Sequence, residues 1–307
     1  MKKYSAILLL AIFAATLLTV TSCIKTAEPE IDYTTDFSIQ SDDQALASTE
    51  DDALTNDVNL VLESDSSFAA RNTDVICDAT IVATSTATAK TITITYNGTN
   101  CNTRRIRTGV AIITCPLNKK WEAVGASISM TFQDLKITRT RDNKSIVLNG
   151  TKTITNVSGG LLKKLASTGS VIHSISSNGL SITYEDSTKR AWDISKKRVF
   201  SYQNGIVIKT TGTRFDGTIN NISEWGINRK GKEFSCQITQ ALVIRQDCSF
   251  RLVSGKVVYP NPDHPITITY GLNSSGIATG CPGSGNYYFK MEWRSVENMA
   301  LSYILPY

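Results

Sequence analysis

Thr91-Ile92-Thr93-Ile94-Thr95-Tyr96 decides the reading of this chain, because it returns twice. Ser181-Ile182-Thr183-Tyr184 repeats its end, and Ile266-Thr267-Ile268-Thr269-Tyr270 repeats nearly all of it. Ile and Thr alternate, so an extended chain presents one apolar face and one hydroxylated face, the pattern of a half-buried β-strand. The surroundings return as well. An apolar-rich run precedes each copy, at Val75 to Thr84, Gly169 to Ser177 and Phe250 to Tyr259. A polar turn and a third run follow each, at Arg105 to Thr114, Arg190 to Phe200 and Asn286 to Trp293. The pattern predicts three related three-stranded units, near 75–114, 169–200 and 248–293, within a single β domain over 75–307.

Working outward, the inserts between units are also strand-like. Ala126 to Arg141 and Ser145 to Val157 flank Asp142-Asn143-Lys144, a hairpin turn by composition. Gly205 to Thr211 and Gly217 to Ile222 form a comparable pair, and Ser235 to Arg245 leads into the third unit. Only Gly160 to Ser167 invites a helical turn. The expected fold class is all-β, a large and mostly antiparallel meander of about thirteen to fifteen strands with one short N-terminal helix. Such a meander becomes a sandwich, a coiled sheet or a partly closed barrel, and pattern alone does not choose among them.

The first residues read as a processing signal and are set aside from the fold. Lys2 and Lys3 precede an apolar run, Ala6 to Leu18, that is too short to span a bilayer comfortably as a helix. Val20-Thr21-Ser22-Cys23 follows, and this resembles the lipobox of bacterial lipoproteins: an aliphatic residue, two small residues, then the cysteine that is acylated. The resemblance implies a type II signal peptide over 1–22 and a lipid anchor on Cys23. Two or more acyl chains hold a protein stably on a membrane. Ile24 rather than Asp follows the cysteine, so the expected address is the outer membrane, with the periplasmic or surface face left open.

The charge is unevenly placed. The whole chain of 307 residues carries a formal +5. Ile24 to Asp74 holds thirteen acidic residues against Lys25 and Arg71, so the remainder is strongly basic. Low hydrophobicity with high net charge reads as a solvated acidic tether over 23–74. Within it, Leu54, Val58, Val61, Leu62 and Phe68 stand at roughly helical spacing, which predicts one short amphipathic helix inside Asp51 to Ala70.

Six cysteines remain beyond Cys23, in a chain bound for an oxidising compartment. Cys77 and Cys101 bracket the first repeated strand, and Cys248 and Cys281 bracket the third in matching positions. These are the predicted disulfides. Cys115 and Cys236 are left over, either paired across the domain or free and buried. No CxxC occurs and no metal or other cofactor is expected.

Catalytic signals are weak. His173 sits inside a strand, and His264 in the proline-rich loop Tyr259 to Pro265 stands beside Asp263. No nucleophile elbow is present. Glu185, Asp186, Asp193, Glu224 and Glu292 are the acids from which a polysaccharide hydrolase would need a facing pair. Spacing singles out none of them, so an enzyme is not the favoured reading.

Binding is favoured instead. Basic residues cluster at Arg104-Arg105-Ile106-Arg107, Arg139-Thr140-Arg141, Lys189-Arg190, Lys196-Lys197-Arg198 and Arg229-Lys230-Gly231-Lys232. Charges on exposed strands block edge-to-edge aggregation, and they also attract anionic partners. Arg104, Arg105, Arg107, Tyr287 and Tyr288 are the candidate ligand patch, for a glycan or an anionic envelope polymer such as lipopolysaccharide. Nucleic acid is disfavoured by the compartment. The closing aromatic Tyr307 is similar to the last residue of outer-membrane barrels, but Pro306 and the anchor argue against a spanning barrel.

Taken together, the lipobox, the acidic tether and units such as Arg107 to Ile112, Asn149 to Asn156 and Ile266 to Gly271 resemble the uncharacterised β-rich lipoproteins of Bacteroidota-type bacteria. That resemblance implies a fold and an address without an activity. The expected function is a membrane-anchored binding module for an envelope or extracellular component. A structural or accessory subunit of an envelope protein complex is the alternative, and a polysaccharide hydrolase the second alternative.

Overall fold

The computed structural model describes residues 33–64, 76–101, 103–260, 265–281, 285–294 and 299–307. The expected signal peptide, Cys23, Phe68, and the Asp263–His264 couple lie outside the described residues. The chain divides into two compact units, Met1–Ala47 and Ser48–Tyr307. Helix α1 (Tyr33–Glu63) begins in the first and continues into the second.

The strands are β1 (Ala79–Ser85), β2 (Ala89–Thr99), β3 (Arg105–Pro116), β4 (Ala126–Arg139) and β5 (Ser145–Asn156). Next come β6 (Ser170–Ser177), β7 (Leu180–Tyr184), β8 (Lys189–Tyr202), β9 (Ile206–Gly212) and β10 (Ile222–Ile227). The last are β11 (Glu233–Arg245), β12 (Arg251–Tyr259), β13 (Ile266–Leu272), β14 (Tyr288–Arg294) and β15 (Ala300–Pro306). All fifteen belong to one antiparallel sheet. The repeated strands are β2, β7 and β13, and in each the isoleucines face one way. Ile92, Ile94, Ile182, Ile266 and Ile268 are all buried.

The first and third units are three-stranded meanders, β1-β2-β3 and β12-β13-β14. The second is built differently. β6 pairs with Lys152 to Asn156 of β5, and β7 pairs with Ile146 to Asn149 of the same strand. Both also pair with β8, so β6 and β7 run end to end as one interrupted strand. Asn178-Gly179, a hairpin signal by composition, marks only the interruption. Gly150 of β5 packs on it, and a Cβ there would lie 2.7 Å from the Gly179 carbonyl oxygen. β9 and β10 share one position between β8 and β11 in the same way.

Successive connections therefore alternate between two ends of the sheet. Residues 86–88, 117–125, 157–169, 203–205 and 246–250 and the β13–β14 connection lie at one end. Residues 100–104, 140–144, 185–188 and 228–232 and the β12–β13 and β14–β15 connections lie at the other.

Helix α1 is 31 residues long, without Gly or Pro, and starts earlier than the segment that its spacing predicted. Leu54, Val58 and Val61 are fully buried on one face, each contributing about 1.5–3 kcal/mol of transfer free energy. Glu50, Asp51 and Thr55 share that face. Successive residues on a helix diverge by about 100°. Yet Glu50 meets Arg105 of β3, Asp51 meets Lys152 of β5, and Asp52 meets Arg198 of β8. One turn of helix reaches three separated strands only if the sheet curls around it. The result is a coiled sheet, with β1 and β15 as edges that pair on one side only among the described residues.

Both predicted cysteine pairs stand at disulfide distance. Cα–Cα is 5.3 Å for Cys77–Cys101 and 5.4 Å for Cys248–Cys281. Cys115 and Cys236 do not pair. They lie on β3 and β11, far apart in the strand order, and both are free thiols, so neither belongs among the disulfide residues. Tyr307 is fixed internally: its hydroxyl accepts the Gly271 N–H at 3.2 Å and donates to the Leu252 carbonyl. Gly271 itself has φ +81°, and a Cβ there would lie 1.9 Å from the Val253 carbonyl oxygen.

Candidate functional site

Strand alternation sends cations from four of the five basic clusters, and Lys152 besides, into the interior. Arg107, Arg139, Lys152, Arg190, Lys196 and Arg198 are all buried. A buried cation is tolerated only when it is paired and hydrogen-bonded. The second half of α1 supplies most of the partners. Lys152, at the centre of β5, donates to the Asp51 carboxylate and, at 2.8 Å, to the Thr55 hydroxyl. Arg107 spans two acids, donating to Asp78 at 2.6 and 2.7 Å and to Asp57 at 2.7 Å. Tyr96, the last residue of the first repeated motif, donates its hydroxyl to the same Asp57 at 2.9 Å.

The sheet contributes one acid of its own. Glu224 on β10 lies 2.6 Å from the Lys196 ammonium and accepts from Trp192 Nε1 at 2.9 Å and from Ser48 Oγ at 3.1 Å. Burial alone would depress the Lys196 ammonium. Glu224 and Asp51 outweigh it and raise its pKa. For Asp51, burial pushes the carboxyl up, but Lys152, Lys196 and Arg198 hold it below the usual range. Glu50 and Asp57 go the other way. Burial dominates over Arg105 and Arg107, and both carboxyls are raised.

This network has the residue types of a catalytic site and none of the access. Asp51, Glu224, Lys152 and Lys196 are each at most 5% exposed. The five acids considered for glycoside hydrolysis do not converge. Glu185 and Asp186 sit on the exposed β7–β8 turn, and Asp193 accepts from Ser177 and Gly179. Glu292 pairs with Lys290 on β14, and Glu224 is sealed in. A cavity of about 320 Å³ over β12 and β13 is lined by groups such as Gln240, Ser254, Tyr270 and Thr279, with no carboxylate, histidine or lysine. Asp247 lies near the sulfurs of Cys248 and Cys281, but the disulfide removes both thiolates as metal ligands.

The ligand patch anticipated from sequence is not assembled. Arg107 is buried against Asp57 and Asp78, and Arg105 donates to the buried Glu50. Tyr287 is buried, with Arg251 stacked 4.5 Å from its ring centre. Only Arg104 is exposed, and β3 and β14, which carry the two halves of the patch, are far apart in the strand order. A tryptophan platform is not offered either: Trp192 and Trp293 are buried, Arg214 covers Trp225 at 4.0 Å, and half-buried Trp121 packs edge-on against His173.

Other features reach solvent. The connections at one end carry exposed Arg104, Arg141, Lys144, Lys230 and Lys232. At an edge of the sheet, β15 exposes Leu301, Tyr303 and Leu305 along a strand with no charged residue. Sequence reasoning had the right clusters but assigned them whole to the surface, because alternation was not carried through them. Among the described residues no helix is long and apolar enough to cross a membrane. No family model, no curated protein and no solved structure matches this chain.

Proposed function

We propose that this chain is an exported envelope protein, lipid-anchored at Cys23, whose β domain is a non-enzymatic binding module for an anionic envelope or extracellular polymer. One observation carries the reading. The interior pairs Lys152–Asp51 and Lys196–Glu224 are closed to solvent, and Arg141, Lys144, Lys230 and Lys232 stand exposed on connections at one end of the sheet. Cationic connections of this kind attract polyanions over roughly a Debye length and are screened by salt. The test is co-sedimentation of the full chain with an acidic polysaccharide and with lipopolysaccharide at low and high salt. Arg141→Ser combined with Lys230→Ser and Lys232→Ser should abolish a salt-sensitive association without shortening the polymer. Retention unaffected by these changes, or polymer cleavage, would sink the reading.

The alternative, an accessory subunit of an envelope assembly, is favoured by β15. Native edges are commonly blunted by charge, proline or a bulge. β15 pairs regularly with β14 over all seven residues and has only Pro306 at its end. Tyr303→Lys should then release a co-purifying membrane complex while leaving the far-UV spectrum unchanged. Protease treatment of intact and lysed cells separates a surface-facing from a periplasmic domain.

A further inference from the structure

The two ends of the sheet differ in chemistry. At the end opposite the exposed arginines and lysines named above, the connections present Leu117, Val124, Val157, Phe250 and Ile277, with Tyr202 at the tip of β8. Val124 is 66% exposed and Ile277 is 63% exposed, so these are whole side chains in water and not flanks of buried ones. The charged residues on those connections are Lys119, Lys120, Lys163 and Lys164, with Glu122 and Asp247, and the Glu63 carboxylate of α1 accepts from the Leu162 and Lys163 N–H groups there. Asp247 is already paired with Arg245. The other end has exposed apolar groups too, Met299 among them, but its connections are more heavily charged, with Arg104, Arg141, Lys144, Arg229, Lys230 and Lys232 outnumbering Asp142, Glu185 and Asp186.

We propose that the rim formed by connections 117–125, 157–169 and 246–250 and the loop around Ile277 is a membrane-contacting surface that rests on an anionic bilayer. Isolated exposed apolar residues need no explanation, but several gathered on one face of a soluble domain do. The lysines select the occupant. Apolar side chains flanked by four lysines, with Glu63 capping the 157–169 backbone and Asp247 paired with Arg245, suit a headgroup layer that is negative at its surface and apolar beneath. A protein partner of this kind would leave Lys119, Lys120, Lys163 and Lys164 to be matched one by one, whereas a lipid surface matches them collectively. The domain would then stand with its basic connections away from the bilayer, where a polymer can reach them.

This inference borrows only the presence of a membrane from the proposed function, and its test separates the two. The full chain, in a Cys115→Ser background, receives a spin label at Ile277→Cys or at Lys230→Cys. Each labelled protein is mixed with vesicles of phosphatidylethanolamine and phosphatidylglycerol, after a thermal melt has shown native folding. Label accessibility is read with lipid-soluble oxygen and with a water-soluble nickel chelate. The expected result is oxygen-dominated relaxation at 277 and chelate-dominated relaxation at 230. Equal chelate access at both positions on vesicle-bound protein overturns the rim and spares the anchor. A label at 277 that is immobilised yet reached by neither reagent means a protein contact, and also overturns it. A chain that stays in the supernatant defeats the rim and the anchored reading together.

Discussion

Lys152 donates its ammonium to the Asp51 carboxylate at a point where neither side chain is more than 1% exposed. One residue comes from the acidic helix and the other from the middle of β5, 101 positions later in the chain. Removing either partner leaves a charge in the interior. Lys152→Met is expected to destabilise the domain by about 3–5 kcal/mol, and Asp51→Asn by a comparable amount, because an uncompensated buried charge is the costly outcome. Asp51→Leu together with Lys152→Met should recover most of that loss, since Lys196 keeps Glu224 at 2.6 Å. Denaturant unfolding of the three variants checks it. A double variant no better than the worse single one would mean that the pair is not coupled.

Glu50 gives a pH prediction of a less usual sign. Burial raises its folded pKa above the unfolded value, so the folded state holds the proton more tightly. Its contribution to stability therefore grows as pH falls through the raised folded pKa and is complete below the unfolded value. Asp51 behaves oppositely. Its folded pKa is depressed, so its contribution is present above the unfolded carboxylate value and is lost as pH falls through the folded one. Glu50→Gln should accordingly flatten the upper part of the acid profile and leave the steep loss at lower pH in place. Melting temperatures across pH 3 to 7, taken as roughly the carboxylate range and its shoulder, decide it. An unchanged profile would show that Glu50 titrates alike in the folded and unfolded states.

The strands were legible because alternation is a local signal: Thr91 to Tyr96 states its buried face without help from the rest of the chain. The cysteine pairs were legible through the repeat, which aligned Cys77 and Cys101 with Cys248 and Cys281. The helix was harder to place, because its buried face includes Glu50, Asp51, Thr55 and Asn59. Polar residues there erase the apolar period on which helix reading depends. The interior network was missed for a related reason. Lys196-Lys197-Arg198 looks like a solvated run, yet in β8 the first and third residues point inward and only Lys197 is exposed. Which acids meet those cations is a property of the curled sheet, and no spacing along the chain carries it.

The two cysteine pairs and the two free thiols make a separate prediction. The disulfides join residues 24 and 33 positions apart, and loss of either should cost about 3 kcal/mol on loop-entropy grounds. Alkylation before unfolding should label Cys115, which is half-buried, in preference to Cys236. Burial pushes the Cys236 thiol up to about 12, so almost no thiolate is present at neutral pH. Denaturant unfolding of variants lacking either pair reads the first result, and peptide mapping under non-reducing conditions reads the second. A cross-link between Cys115 and Cys236 would contradict the placement of β3 and β11.

His173 supplies the sharpest acid-sensitive group. It is 1% exposed, packs edge-on against Trp121 and Phe200 with ring centres 5.2 and 5.0 Å away, and faces Arg198 across the strand pair. Burial lowers its pKa to about 4, so the folded state keeps it neutral while the unfolded chain takes up a proton at about 6.5. The unfolded state therefore binds more protons within that window, and stability falls as pH drops from about 6.5 towards 4. A separation of that size corresponds to about 3 kcal/mol. His173→Phe, which keeps the ring contacts and removes the titrating nitrogens, should abolish this component and leave the protein more stable than the parent at pH 4. The measurement is urea unfolding of parent and variant at neutral and acid pH. A variant that loses the same stability on acidification would move the origin of acid sensitivity from His173 to the carboxylates of the helix.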